Sequence, residues 1–206
     1  MRKKQAQFII RGKMVSSMPD SFLKVFGIIE LCNSGLIIQQ IRWIQRGLNN
    51  RRSKMIEIVI EDDIYITKNK NVVDTKIHIE ENGRCFPSDG WTDFTFPILE
   101  WWKNNLISAR YADNHSFQLP FFDGPFWLEV QKNENMELKI ECVNDRTKRR
   151  TELTTYCGYY EFLQELYNAF KTFSKILYKN NMHEGDFSSI YRQTMLSVNE
   201  LKEILK

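Results

Sequence analysis

From position 56 the chain alternates between apolar and polar residues. Ile56, Ile58 and Ile60 fall on one side and Glu57, Val59 and Glu61 on the other. A period of two is that of a half-buried strand. Asp62-Asp63 predicts a turn, Ile64 to Thr67 a short continuation strand, and Lys68 to Asn71 a polar turn. Ile77 and Ile79, opposed to Lys76, His78 and Glu80, predict a strand over Thr75 to Glu81. Asn82-Gly83 closes a hairpin there, because both central positions of a type I′ turn require positive φ.

The period changes after Trp91. Thr95 is placed to cap a helix with Pro97 in its first turn, and Ile98, Trp102 and Leu106, helped by Leu99 and Trp101, form the stripe of a helix laid on a sheet. Alternation then returns. Ser116 to Phe122 reads as a strand, Asp123-Gly124-Pro125 as a tight turn, and Phe126, Leu128 and Val130 as the inward face of the next strand. Met136, Leu138, Ile140 and Cys142 alternate with Glu137, Lys139 and Glu141, Asn144 to Arg150 forms a charged loop, and β-branched Thr151 to Tyr156 adds one more strand.

The last third is helical. Tyr159, Phe162, Leu163, Leu166, Phe170, Phe173 and Leu177 recur at the helical period, and Asn180-Asn181 with Gly185 ends the run. Asp186 is expected to cap a second helix reaching about Leu196, and Ser197 with Glu200 to form a capping box for a last turn. The predicted fold is α+β: one antiparallel sheet of about six strands, a helix inserted at residues 95 to 107, and a C-terminal helix pair packed on one face.

Charge divides the chain where its pattern does. Residues 1 to 54 carry 11 Lys or Arg against Asp20 and Glu30, a net +9, whereas residues 55 to 206 carry 18 against 24 acids, a net −6. A basic N-terminal extension (1-54) and a single acidic domain (55-206) follow. The extension has the charge to attract nucleic acid or an anionic membrane, but its basic residues are spread out and its apolar ones lack a clean helical stripe. Arg51-Arg52-Ser53-Lys54 directly precedes Met55. Two arginines encoded AGGAGG would be a bacterial ribosome-binding sequence, which makes Met55 an alternative start and the extension a start-site artefact. The basic opening Met1-Arg2-Lys3-Lys4 is followed by charges at Arg11, Lys13, Asp20 and Lys24, so no signal peptide is expected, and no transmembrane segment is long enough.

No nucleotide-binding, nucleophile-elbow or metalloprotease motif is present, and Cys32, Cys85, Cys142 and Cys157 are too scattered for a metal knuckle or a disulfide frame. Reduced thiols in a cytoplasmic protein are expected. His78, His115 and His183 lack ligand spacing, so no metal, cofactor or catalytic residue is assigned. His78 and Cys85 flank the hairpin as a conceivable base and nucleophile, yet His78 lies on the polar strand face, where a solvated imidazole is the ordinary outcome. Arg146, Lys148, Arg149 and Arg150 read as solvated loop charges.

Carboxylates and aromatics cluster more suggestively. Asp89, Trp91 and Asp93 with Phe94, Trp101 and Trp102, and Asp123 with Phe126 and Trp127, form two neighbourhoods that a sheet-and-helix fold can bring together. They read as a partner-binding surface in which rigid aromatics anchor a protein and carboxylates steer a basic one. Residue by residue, turn formers, caps and core filling are the stronger reading, with Asp93 and Asp123 as turn or cap residues first.

Trp91-Thr-Asp-Phe-Thr-Phe-Pro-Ile-Leu-Glu-Trp-Trp, then Phe121-Phe-Asp-Gly-Pro-Phe-Trp-Leu, then the long helix Tyr159 to Leu177 resembles small bacterial proteins of the polymorphic-toxin immunity type over roughly residues 55 to 200. The resemblance implies a non-enzymatic inhibitor that occupies a toxin's active site or substrate groove, and an acidic domain suits a basic nuclease toxin. The competing expectations are a nucleic-acid-binding accessory protein acting through residues 1-54, and a small-molecule enzyme of unknown type.

Overall fold

Strand pairing divides residues 56–206 into two sheets where the sequence suggested one of six strands. The computed structural model describes residues 8–10, 13–15, 56–67 and 72–206. The chain forms two units, residues 1–53 and 54–206. In the first, β1 (Phe8–Ile10) pairs antiparallel with β2 (Lys13–Val15). The rest of the basic extension, and the turn expected at Lys68 to Asn71, lie outside the described residues.

In the second unit β3 (Glu57–Thr67), β4 (Val72–Glu81), β5 (Arg84–Phe86) and β6 (Thr92–Asp93) form the first antiparallel sheet, with both short strands hydrogen-bonded to β4. Asn82 and Gly83 take φ of 52° and 76°, the conformation the hairpin requires. Helix α1 (Thr95–Ala109) carries the chain into β7 (His115–Pro120), β8 (Phe126–Lys132), β9 (Glu137–Asn144) and β10 (Arg150–Gly158), an antiparallel meander ordered β10-β9-β8-β7. Helix α2 (Tyr159–Lys179) and, after one 3-10 turn, α3 (Ser188–Ile204) complete the unit. Helix α1 packs against β4 and β7 and α2 against β3 and β10, so each bridges both sheets over one continuous core. Phe86 of the first sheet meets Phe121, just after β7, and Phe126 of β8 edge-on, each pair 5.9 Å between ring centroids.

Local corrections have local causes. Asp62-Asp63 does not turn the chain. Ile60 faces Ile77 and Ile64 faces Thr75, so Glu61, Asp62 and Asp63 bulge opposite Lys76 alone. That bulge sets Glu61 and Asp63 at 3.0 and 2.7 Å from the Lys76 ammonium, while Asp62 pairs with Lys179. Thr95 is not the N-cap of α1. Its hydroxyl is engaged by Thr75 Oγ1 at 2.6 Å, and Phe94 occupies the capping position. Asp186 does not cap α3, whose N-cap is Phe187, and α3 runs unbroken through Ser197, whose side chain is drawn to helix α1. Trp101, expected to help the buried stripe of α1, is 51% exposed, whereas Ile98, Leu99, Trp102 and Leu106 are fully buried.

Candidate functional site

The site is organised by one carboxylate. Asp93 ends β6, opposite Thr75 of β4, and only 2% of it is exposed. Its Oδ1 accepts the amide of Phe94 at 2.7 Å and that of Asp123 at 3.1 Å; its Oδ2 accepts the amides of Phe122 at 2.9 Å and Asp123 at 3.0 Å and the Trp91 indole N–H at 3.2 Å. A carboxylate this buried needs compensating donors, and bonds to an ionised acceptor are roughly twice as strong as neutral ones. The consequence is mechanical. One side chain ties the start of α1 to the β7–β8 turn, segments about thirty positions apart.

The two tied segments present aromatics outward. Phe94 and Phe122, whose amides Asp93 holds, are both exposed, and the Trp101 ring meets the Phe122 ring edge-on at 6.3 Å. Phe121 and Phe126, on either side of the same turn, point into the core. Gly124 permits this reversal. Its φ is +129°, and a Cβ there would lie 2.9 Å from Phe126 Cε2 and 3.4 Å from Trp91 Cη2. Exposed Asp123 sits beside the aromatics. Burial, and then the negative charges of Asp93 and Asp123, push the Asp74 carboxyl above its ordinary range, so the neighbourhood is negative. Asp74 Oδ1 is also buried without a hydrogen-bond partner.

The five residues singled out from sequence fall in three places. Trp91, Asp93 and Asp123 come together, but Asp93 is buried and Trp91 packs edge-on against Phe126 at 5.0 Å, so both position the surface rather than contact a partner directly. Trp127 belongs to the far face of β8, where its indole N–H donates to Glu129 at 3.1 Å and the Arg149 guanidinium lies 5.4 Å over its ring. Asp89 belongs to a third group, with Glu61 and His78. Phe122 escaped the sequence reading. The available signal was a second phenylalanine immediately before Asp-Gly-Pro, since consecutive residues entering a tight turn point opposite ways. The loop expected to be merely solvated is engaged as well: Arg149 pairs with Glu129 at 3.4 Å, Arg150 with Glu152 at 2.7 Å, and Arg146 lies 5.2 Å over Phe126.

His78 is not the solvated histidine its polar strand face suggested. It is 3% exposed, and its Nδ1 has no hydrogen-bond partner. Ligating atoms of His78, Glu80 and Cys85 lie within 4.8 Å of one another, as do those of Glu61, His78 and Asp89. Burial, then the charges of Asp89, Glu80 and Glu61, raise the Cys85 thiol above its ordinary value, the opposite of what an activated nucleophile needs. No family model matches the chain, and neither curated proteins nor solved structures give a match. Among the described residues no helix is long and apolar enough to cross a membrane.

Proposed function

We propose that the protein is a non-enzymatic protein-binding module whose contact surface is Phe94, Trp101, Phe122 and Asp123, and that its partner is a basic protein. The observation that carries this reading is the Asp93 carboxylate, which fixes exposed aromatics from two distant segments into one patch. Aromatics held rigid before binding lose little entropy on contact, which is what makes such side chains effective anchors. The acid-rich surroundings favour Lys or Arg on the other side and a salt-sensitive association rate. Together with the resemblance in element order, this supports an immunity-like role in the cytoplasm, neutralising a bacterial toxin with a basic active-site groove.

The test is to read the neighbouring genes for a toxin-like domain and to measure growth of a bacterial host expressing that domain. Co-expression of the wild-type chain is expected to restore growth, and the double variant Trp101→Ala/Phe122→Ala to fail while melting at the wild-type temperature. Protection by a double variant as good as the wild type, or no protection by the wild type, overturns the reading.

A further inference from the structure

We propose that the outer face of the β4–β5 hairpin is a site for one Zn²⁺ ion, held by His78, Glu80 and Cys85, with water in the fourth position. Strand pairing builds most of it. His78 and Glu80 are two residues apart on β4 and therefore share a face, and Glu80 stands directly opposite Cys85 across the hairpin. Their ligating atoms converge within 4.8 Å. A tetrahedral ion with bonds of about 2.0–2.3 Å sets its donors roughly 3.3–3.8 Å apart, so closing these three donors needs side-chain shifts of no more than about 1–1.5 Å.

An independent observation points to a ligand. His78 is only 3% exposed, yet its buried Nδ1 meets no donor or acceptor. A buried polar atom without a partner costs free energy, and a metal ion satisfies an imidazole nitrogen as fully as a hydrogen bond does. On binding the ion, the Cys85 thiol coordinates as thiolate and releases its proton to solvent. One thiolate, one imidazole and one carboxylate select Zn²⁺ over Mg²⁺ or Ca²⁺, which take oxygen ligands throughout.

Co²⁺ reports the site, because a thiolate bound to it gives an intense near-ultraviolet charge-transfer band. Titrating the full chain with Co²⁺, then displacing it with Zn²⁺, is expected to show one ion per chain and the thiolate band. Cys85→Ser should abolish the band and weaken Zn²⁺ binding by roughly 100-fold. Cys32→Ser and Cys157→Ser should leave both unchanged, and His78→Gln should weaken binding in a protein whose circular dichroism stays native. No band with the wild-type chain, or a band that survives Cys85→Ser, overturns the assignment. Should His78→Gln unfold, the wild-type band and its loss in Cys85→Ser still decide the matter.

Discussion

The Lys103 ammonium donates to Ser197 Oγ at 2.9 Å, joining α1 to α3 across 94 positions of sequence. Lys103 is 6% exposed, and its charge is met by Glu100 at 3.1 Å and Glu200 at 2.8 Å, with Ser197 also donating to Glu100. An ammonium this deep would be costly alone. The four side chains therefore act as one polar rivet between the two helices.

Breaking the rivet should be felt unequally. Lys103→Ala is expected to cost about 2–4 kcal/mol in urea unfolding, because it strands two carboxylates and a hydroxyl. Glu200→Gln, at the half-exposed end, should cost less than about 1 kcal/mol.

Neighbouring tryptophans should behave as opposites. Trp102 is fully buried, and its indole N–H donates to the Pro120 carbonyl at 2.9 Å, so Trp102→Ala should cost about 3–5 kcal/mol. Trp101→Ala, on the exposed side of the same turn of helix, should stay within about 0.5 kcal/mol of wild type. Thermal melts of the two single variants separate them.

Two aspartates of the patch should part in the same manner. Asp93→Asn replaces one accepting oxygen with a donor that faces N–H groups, and should cost about 2–3 kcal/mol in denaturant unfolding. Asp123→Lys changes an exposed charge and should leave stability nearly unaltered while slowing association with a basic partner at low salt.

Gly124→Ala should destabilise by about 1–3 kcal/mol, since the new methyl meets the Phe126 ring at 2.9 Å in a backbone conformation that side chains resist. Differential scanning calorimetry reads the loss directly.

Asp74 gives a pH signature. Its folded carboxyl lies above the ordinary value of 3.8, so between that value and its folded one the native state holds more protons than the unfolded state. Its contribution to stability is therefore full below that window and lost as pH rises through it. Asp74→Asn should raise the melting temperature at pH 7 and lose this advantage toward pH 4, in melts taken side by side.

Side-chain periodicity made most elements legible. Leu138, Ile140 and Cys142 are all buried in β9, and the helical run from Tyr159 to Leu177 faces the core throughout. Periodicity reports which side of an element is covered, not which strand lies beside it, so the sequence reading merged two sheets that α1 separates. Nor does it report what covers a polar face, hence the misplacement of His78. Capping patterns failed wherever a distant partner claimed the side chain, as Thr75 does with Thr95 and Lys103 with Ser197. Asp93 could be marked as notable from sequence, but its role as an acceptor depends on a turn about thirty residues away.

Both sheets of the second unit consist solely of antiparallel pairings between strands close in sequence, and α1 and α2 each pack against both. Each sheet can thus assemble by closing short loops, which is entropically inexpensive and fast. The slow part of folding falls to the docking of α2, whose β3 contacts reach back about a hundred residues. A ribosome would release both sheets before it releases the second of the two helices that bridge them.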